Sequence, residues 1–380
     1  MRGRWLVAFS LVGALGLSAC GSSDDTPSVT ATTVAGTTSA TSLKGICPDN
    51  IVIQTDWFGT SERAAAYALV GPNGKVDATK GSYRGPLADT GVDVEVRLGG
   101  PYIGFNPVPL QMYTDDSIFM GLVATDEAVG AYDKFPTVAV VTPLDINPQG
   151  IMWDPATYTI NSWADIAPTD AKIVYLEGLP YMDYLVAKGL VKKDQLDASF
   201  DGTPSRFVAA GGKLMQQVYV SNEPYRWAHD VEGWKKPVKT LLANDAGYEI
   251  YPQGYAVKRD VITSRAECLK KLTPMIQQAE VDYATTPGPI NEALVGIATA
   301  INQGPPITAA GNADGIKTML DLKLVSNGAD TTLGNFDLDR VARTIEVLRP
   351  IFATRNQAVP ASLKASDIVT NEFIDPSIHL

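Results

Sequence analysis

The sequence is poor in the residues on which many enzymes depend. It has two histidines, His229 and His379, and the second lies one residue from the C-terminus. It contains no Gly-x-Ser-x-Gly, His-Glu-x-x-His, Cys-x-x-Cys or Walker A spacing. These absences argue against the hydrolases, metalloproteases, redox enzymes and nucleotidases that such motifs mark. We therefore predict no catalytic residue, no metal and no cofactor.

Positive charge is also scarce. The 380-residue chain has 31 Lys and Arg against 42 Asp and Glu, which gives a formal net charge of −11. Proteins that bind nucleic acid or anionic lipid surfaces through charge are typically basic, so neither partner is expected. After residue 20, no apolar run is long enough to cross a membrane.

The N-terminus has the pattern of a secretory signal. Arg2 and Arg4 precede an apolar run over residues 5–17 that is too short for a membrane span. The run closes on Leu-Ser-Ala-Cys, which is similar to a bacterial lipobox and makes Cys20 the predicted lipidation site. Residues 1–20 would then be a lipoprotein signal peptide, with the protein anchored on the extracytoplasmic face of the cell membrane. The alternative is an ordinary signal peptide with an incidental cysteine.

A change of composition follows Cys20. Residues 21–46 are rich in Ser, Thr, Ala and Gly and contain no aromatic residue, so we predict a flexible tether there. The remaining body, about 335 residues from Cys47, exceeds the size at which a single core stops growing, which favours two lobes. In an exported protein Cys47 and Cys268 can pair. The alternative is a free Cys268 buried at helical spacing.

Short apolar runs alternate with helical patterns through the body. The predicted strands are 51–54, 92–98, 118–123, 138–141, 172–175, 217–220 and 255–257, and the predicted helices are 61–69, 126–134, 181–188, 205–210, 264–283, 290–302, 313–320 and 338–352. Alternation of this kind predicts an α/β fold whose parallel-rich sheets are flanked by helices.

Polar and aromatic residues recur where predicted strands end. Four such loops are Asp56-Trp57-Phe58, Thr125-Asp126-Glu127, residues 177–181 and residues 221–225. In α/β sheets ligands bind beyond the carboxyl ends of the strands, and helix N-termini there favour polar ligand atoms. We expect the four loops to converge on one cleft.

Six segments in a fixed order carry a resemblance to a known family. They are IVIQTDWFGTSERAAAYAL (51–69), SIFMGLVATDEAV (117–129), VAVVTPLDINPQGIMW (138–153), TINSWADIAPTDAKIVY (159–175), VYVSNEPY (218–225) and YPQGYAVKRDVITSRAECLKKL (251–272). The chain resembles a periplasmic-type substrate-binding protein of an ABC importer. More narrowly, it is similar to the branch for nitrate, sulfonate, taurine and thiamine pyrimidine precursors. It departs from that branch at residues 59–63, after the Trp-Phe pair, where proline, histidine or glycine is usual.

The resemblance implies a type II periplasmic-binding-protein fold that closes on its ligand by a hinge. Lobe 1 would be residues 47–147 and 252–380, and lobe 2 would be residues 148–251. Two crossover hinge segments would lie near residues 143–150 and 250–254. The partners it implies are a small-molecule ligand and an ABC permease with its ATPase, and the protein would be a monomer.

The candidate ligand-binding residues are aromatic, amide or acidic. They are Asp56, Trp57, Phe58, Tyr102, Asp126, Trp153, Glu177, Tyr181, Asn222, Glu223, Tyr225 and Tyr251. Only Arg226 adds a positive charge near these loops, whereas an anion receptor would be expected to place Arg or Lys there. Aromatic faces with carboxylate acceptors favour a planar, nitrogen-containing heterocycle such as a thiamine pyrimidine precursor.

Two alternatives remain open at this point. One is a sulfonate-, taurine- or nitrate-binding protein of the same family. The other is a secreted hydrolase that uses two carboxylates, for which Glu177 and Glu223 are the candidate pair.

Overall fold

The computed structural model describes residues 42–380. The predicted signal peptide, the lipidation of Cys20 and the tether up to residue 41 lie outside the described residues. The packed chain begins earlier than Cys47, because Leu43 is fully buried and its backbone N–H donates to Thr90 O at 2.9 Å. Residues 43–46, which the prediction assigned to the tether, therefore belong to the packed chain.

The strands of the described residues form two sheets. They are β1 Asn50–Gln54, β2 Lys75–Asp77, β3 Ser82–Pro86, β4 Asp93–Arg97, β5 Ile118–Val123, β6 Thr137–Val141, β7 Gln149–Trp153, β8 Lys172–Val174, β9 Leu196–Asp197, β10 Leu214–Tyr219, β11 Lys239–Leu242 and β12 Gly254–Lys258. Sheet A has seven strands in the order β2-β3-β4-β1-β5-β12-β6. Sheet B has five strands in the order β11-β7-β10-β8-β9.

Both sheets mix parallel and antiparallel pairs. In sheet A, β1 is parallel to β4 and β5, and in sheet B, β8 is parallel to β9 and β10. The strands β12 and β7 are antiparallel to both of their neighbours. Each of these two is the first strand after the chain has passed from the other sheet. The predicted α/β class is therefore confirmed, with sheets that are mixed rather than rich in parallel pairs.

The chain passes between the sheets twice. It leaves sheet A after Val141 and enters sheet B at Gln149, and it returns between Leu242 and Gly254. The predicted lobe boundaries, at residues 148 and 252, fall within these passages. The division of the chain into two lobes that move separately stays a prediction.

Helices cover the two sheets. They are α1 Ala64–Val70, α2 Val108–Thr114, α3 Thr125–Ala131, α4 Pro180–Ala187, α5 Ser205–Ala209, α6 Glu223–His229, α7 Val261–Ser264, α8 Ala266–Thr285, α9 Gly288–Ile301, α10 Ala309–Asp321 and α11 Leu338–Thr354. From residue 42 to residue 380, no helix combines the length and the apolar character that a membrane span requires.

Burial of the central strands explains why their apolar runs are continuous. Every residue of β5 and of β6 is buried, which is typical of strands whose two faces are both covered by helices. The carboxyl ends of these strands are the points where the chain emerges from the core. Polar side chains therefore first become available at the loops that follow them.

The disulfide predicted between Cys47 and Cys268 is confirmed. The two Cα atoms are 5.0 Å apart, and the bridge closes a sequence separation of 221 residues. Cys268 lies on the buried face of α8 and is fully buried, and Cys47 is nearly so. The bridge joins the start of the packed chain to a helix that packs against α1.

Loss of this bridge should destabilise the protein. We expect a Cys47→Ala, Cys268→Ala double variant to lose about 2–5 kcal/mol of unfolding free energy in urea, because the unfolded chain is no longer cross-linked. Thiol titration of denatured, unreduced wild-type protein should find both cysteines blocked. Two titratable thiols would contradict the bridge.

Candidate functional site

A cavity of about 640 Å³ lies where loops of sheet A face loops of sheet B. Asp56 and Asp126 follow β1 and β5 of sheet A, while Glu177 and Asn222 follow β8 and β10 of sheet B, and all four line the cavity. The four strand-end loops singled out in the sequence therefore come together at one site.

The loop after β1 is held by an internal ion pair. Arg63 Nε donates to Asp56 Oδ1 at 2.8 Å, and Arg63 Nη2 donates to Asp56 Oδ2 at 2.5 Å. Arg63 Nη1 also donates to Thr60 Oγ1 at 3.1 Å. A bidentate pair of this kind fixes direction as well as distance. The Asp56 carboxylate is thus partly occupied before any ligand arrives.

A glycine lets a second loop approach this one. Gly99 N–H donates to Trp57 O and Gly100 N–H donates to Asp56 O, both at 3.0 Å. A Cβ at position 99 would lie 2.3 Å from Thr55 O, which no side chain tolerates. The loop after β4 therefore supports the backbone of the Asp56-Trp57 turn from close range.

Glu62 connects sheet A to sheet B. Its Oε2 accepts from Thr60 Oγ1, and its Oε1 accepts from the hydroxyl of Ser221, which follows β10. Arg63 lies 3.6 Å from Glu62 Oε2, and the side chains of these two residues are only 4% and 1% exposed. The Arg63 guanidinium also lies over the Tyr219 ring at 5.4 Å from its centre. Buried charges hold the two sheets together at this end of the cavity.

The partners of Arg63 keep it charged. Burial alone lowers the pKa of the guanidinium, but Asp56, Tyr219 and Glu62 together more than offset this and hold that pKa above its ordinary value. The amide of Gln253, oriented to suit its neighbours, donates to Glu62 O at 2.6 Å and accepts from Arg63 Nη2 at 3.1 Å. The passage that returns the chain to sheet A therefore joins the same cluster.

Trp57 is half-buried and lines the cavity. Its ring centre lies 6.0 Å from that of Phe105 and 5.7 Å from that of Phe58, with the Phe58 ring edge-on. Gly100 stands close to the indole, because a Cβ there would lie 2.9 Å from Trp57 Cε3. Gly202, in the chain before α5, stands against the opposite edge. The indole is thus positioned by neighbours from both sheets.

Two adjacent carboxyls begin α3. Tyr248 Oη donates to Asp126 Oδ2 at 2.6 Å, and Val108 N–H donates to Glu127 Oε1 at 2.9 Å. Burial raises the pKa of Asp126, and it raises the pKa of Glu127 to about 8. Both side chains line the cavity. Within residues 42–380, no group of three His, Cys, Asp or Glu side chains is arranged to hold a metal ion.

Arg355 crosses the cavity from the end of α11. Its Nε donates to Asp183 Oδ2 at 2.6 Å, and its Nη1 donates to Gly178 O at 2.7 Å. Both acceptors belong to the loop and helix that follow β8 in sheet B. Glu177, next to this bridge, is exposed at the cavity wall.

The loop after β10 places three polar side chains at the cavity. Glu223 Oε2 accepts from Tyr219 N–H at 2.8 Å, and Arg226 Nη1 lies 3.9 Å from Glu223 Oε1 and 3.4 Å from Asn222 Oδ1. Burial raises the pKa of Glu223 and lowers the pKa of Arg226. Burial therefore disfavours the charged form of Glu223, and Arg226, 3.9 Å away, compensates for this only in part.

Six of the twelve predicted ligand residues line this cavity. They are Asp56, Trp57, Asp126, Glu177, Asn222 and Glu223. All six lie in the loops or helix starts that follow strands. Apart from Trp57, none has a large apolar side chain that would pack into the core. Their role in ligand binding stays a proposal.

The structure places the other six predicted residues outside the cavity lining, which corrects that part of the prediction. Trp153, Tyr181 and Tyr251 are 1–3% exposed and pack inside the core. Trp153 belongs to β7 itself, and the hydroxyl of Tyr181 donates to Gly150 O at 3.1 Å. The hydroxyl of Tyr251 accepts from Asp337 N–H at 2.8 Å. Large aromatic rings of this kind, whose polar atoms are hydrogen-bonded or buried, fill space between sheet and helix.

The remaining three, Phe58, Tyr102 and Tyr225, lie outside the cavity lining and pack against other aromatic rings. The rings of Phe58 and Tyr102 pack edge to face, with centres 6.5 Å apart. Tyr225 packs against the ring of His229, with centres 4.5 Å apart.

Several cavity residues escaped the sequence analysis. They are Glu62, Arg63, Tyr219 and Arg355. Glu127 lines the cavity too, and the sequence had singled out its loop without naming it among the ligand candidates. For Glu62 and Arg63 the departure from the family pattern at residues 59–63 was the one signal in the sequence. It places a Glu-Arg pair in a segment where the family usually has proline, histidine or glycine. Arg355 had no signal, because it follows an ordinary amphipathic helix in the last tenth of the chain.

Comparison with known proteins bears on the fold. No family model matches the chain, and no curated protein matches it. Solved structures do. The alkanesulfonate-binding protein SsuA from Xanthomonas axonopodis pv. citri, bound to MOPS, matches at 11% identity with a TM-score of 0.54, over 85% of this chain and 98% of that one.

Two further solved structures agree. An ABC transporter structure from Parabacteroides distasonis matches at 12% identity and a TM-score of 0.50, over 87% of this chain and 99% of that one. The ligand-binding component of an ABC-type import system from Staphylococcus aureus, with zinc bound, matches at 11% identity and a TM-score of 0.50, over 86% and 100%. The chain has the periplasmic-binding-protein fold. The fold that the resemblance implied is therefore confirmed, and at such low identity the likeness extends to the fold alone.

Removal of the Arg63 guanidinium should destabilise the protein strongly. In an Arg63→Met variant the buried carboxylate of Glu62 and the half-buried one of Asp56 lose their cation, so unfolding free energy in urea should fall by about 3–5 kcal/mol. Arg84→Met is the matched control, because Arg84 pairs with Asp93 at 2.8 Å on the surface. That control should cost about 0–1 kcal/mol. Equal losses in the two variants would contradict the role of the cluster.

The raised pKa of Glu127 predicts a pH-dependent stability. Glu127 has a pKa of about 8 in the folded protein, against an ordinary value of 4.5. Its contribution to the unfolding free energy is therefore fully present below pH 4.5. That contribution declines as pH rises and is lost above about pH 8. The unfolding free energy of Glu127→Gln, relative to wild type, should therefore increase between pH 4.5 and pH 8.

The control for this profile is Glu267→Gln. Glu267 is an exposed carboxyl on α8 whose pKa is lowered by a hydrogen bond from Lys270. Its replacement should change the profile little and in the opposite sense, since exposed ion pairs contribute little. A pH-independent difference between Glu127→Gln and wild type would contradict the prediction.

Proposed function

We propose that the protein is the solute-binding component of an ABC importer and that the cavity binds the transported solute. It would work outside the cytoplasm, held to the cell membrane by a lipid at Cys20, and would deliver its ligand as a monomer to a permease and its ATPase. The fold supports this proposal. The solved structures that share it and are described above are a sulfonate-binding protein and components of ABC transport systems, and none is described as an enzyme.

We further propose that the ligand is a planar, nitrogen-containing heterocycle with hydrogen-bond donors or a positive charge, of the kind of a thiamine pyrimidine precursor. The volume of about 640 Å³ suits a small molecule. The half-buried indole of Trp57 offers an aromatic face at the wall, and Phe200 and Phe105 lie on the same lining. Aromatic side chains of this kind favour a flat ligand.

The charged side chains that line the cavity favour a ligand that donates hydrogen bonds. Of the described residues that line the cavity, seven have carboxyl side chains and four have cationic ones. The acids are Asp56, Glu62, Asp126, Glu127, Asp133, Glu177 and Glu223, and the cations are Arg63, Lys134, Arg226 and Arg355. Glu127, with a pKa of about 8, is mostly protonated at neutral pH and adds no negative charge there. The remaining carboxylates still outnumber the cations and accept hydrogen bonds, so the balance favours a ligand that donates.

Two of the four cations are, moreover, already held by carboxylates. Arg63 is bound by Asp56 and Glu62, and Arg355 is bound by Asp183 at 2.5 Å. Arg226 lies 3.9 Å from Glu223, and Lys134 is exposed at the rim. An anionic ligand would have to compete with these carboxylates for the guanidinium groups of Arg63 and Arg355.

Calorimetry with matched probes tests the proposal. The aminopyrimidine 4-amino-5-hydroxymethyl-2-methylpyrimidine should bind, while ethanesulfonate and nitrate should bind at least tenfold more weakly. Native mass spectrometry of protein purified gently from its host would show whether such a ligand is retained. Preferential binding of ethanesulfonate or nitrate would overturn the ligand class and support an anion receptor instead.

Loss of the indole should weaken this binding. We expect Trp57→Ala to raise the dissociation constant of the aminopyrimidine by about 5- to 150-fold, or roughly 1–3 kcal/mol, because one aromatic wall is removed. Thermal unfolding without ligand should change little, since Trp57 is only half-buried. The measurement is calorimetry on both proteins at the same pH.

Tyr225→Ala is the matched control for Trp57→Ala. Tyr225 is also a half-buried aromatic residue that follows a strand, but it lies outside the cavity lining. It should keep the wild-type affinity. If both variants lose affinity equally, or if Trp57→Ala unfolds many degrees lower with affinity intact, Trp57 is a packing residue and not a ligand contact.

A further inference from the structure

A second, much smaller pocket opens beside the cavity, and we call it the annex. It has a volume of about 10 Å³ and is lined by the loop at residues 305–308 and by residues of α6 and α10. Thr60, Asn222, Arg226 and Pro305 line both the annex and the main cavity. The annex therefore adjoins the space proposed for the ligand.

Two of the residues that line this space carry a buried donor without a partner. Arg226 is 8% exposed and Asn312, on α10, is 3% exposed, and both line the annex. Among the residues from 42 to 380, neither Arg226 Nε nor Asn312 Nδ2 has a hydrogen-bond partner. A buried donor without an acceptor is costly, so such groups are normally met by a ligand or by an ordered water.

One buried acceptor lies with them. Asp230, one residue beyond the end of α6, lines the annex too. Its Oδ2 is buried, and no donor in the described part of the chain reaches it. The annex thus presents two donors and one acceptor to whatever occupies it.

A hydroxyl oxygen matches this set. It has two lone pairs, which can accept from Arg226 Nε and Asn312 Nδ2, and one proton, which it can donate to Asp230 Oδ2. A carbonyl oxygen has no proton for Asp230. A sulfonate or phosphate group has several oxygens, whereas a volume of about 10 Å³ holds a single water-sized atom.

We propose that the annex is a hydroxyl subsite of the ligand cavity, in which Arg226, Asn312 and Asp230 together bind an O–H group of the ligand. The assignment rests on the proposed function, since it places a hydroxyl on the solute that the main cavity holds. Without ligand, a water has the same two lone pairs and a proton to spare, and it occupies the annex in the hydroxyl's place.

Two pairs of probes that differ by one hydroxyl test the subsite. The first pair is 4-amino-5-hydroxymethyl-2-methylpyrimidine and 4-amino-2,5-dimethylpyrimidine. The second pair is 2-hydroxyethanesulfonate and ethanesulfonate. In whichever pair binds by calorimetry, the hydroxyl compound should bind about 10- to 150-fold more tightly, the size of effect that hydrogen bonding to a charged group gives.

A variant isolates the annex from the main cavity. Asn312 lines the annex but not the cavity, so Asn312→Ala should abolish the preference for the hydroxyl compound and leave the affinity of its partner unchanged. Asn291→Ala is the matched control. Asn291 is another asparagine at 3% exposure, and its Oδ1 accepts from Tyr283 Oη at 3.0 Å. That variant should keep the preference, whatever its stability.

The outcomes separate this inference from the proposed function. Binding of the sulfonate pair alone, with the hydroxyl preference and its loss in Asn312→Ala, would overturn the heterocycle and keep the subsite. Binding of the pyrimidine pair without a hydroxyl preference would overturn the subsite and keep the heterocycle, because the annex would then retain its water. Binding of neither pair would overturn both.

Discussion

The cluster of Asp56, Glu62 and Arg63, in which Glu62 and Arg63 are buried and Asp56 is half-buried, is the constraint on which the rest of the site depends. Charges this deeply buried are tolerated only when every member has its partners in place. Arg63 meets that condition by binding Asp56 in its own loop and by lying over Tyr219 of sheet B. Glu62 meets it through Ser221. The turn that carries Trp57 and the loop that follows β10 are consequently fixed relative to each other.

The cluster also decides which charges a ligand meets. It occupies the guanidinium nearest the aromatic wall, and a second ion pair between Arg355 and Asp183 occupies another at the opposite side. Glu127 and Glu223 also line the space, and burial favours the neutral form of both by raising their pKa values. A fold shared with a sulfonate-binding protein does not fix the ligand, because the ligand is chosen by side chains that the fold merely positions.

Much of the framework was predictable because it follows from local pattern. The continuous apolar run at Ile118–Val123 matches β5 residue for residue, since a strand covered on both faces needs no alternation. The strands at Lys75–Asp77, Ser82–Pro86 and Lys239–Leu242 were missed, because short strands near or at the sheet edges carry mixed polar sequences. The helix at Glu223–His229 was missed as well, since its Glu-Pro start resembles a turn.

The sequence by itself determined the α/β class, the pairing candidates Cys47 and Cys268, and the loops that would meet at a cleft. Tertiary structure alone decided which side of each loop faces the cavity. Trp57 lines it and Phe58, the next residue, lies behind it, although the two are alike in size and apolar character. It also decided that Arg355 reaches across to Asp183 and that Arg226, Asp230 and Asn312 share one small pocket. The physical reason is range: strand and helix patterns repeat within a few residues, whereas these contacts join segments that only the packing of two sheets brings together.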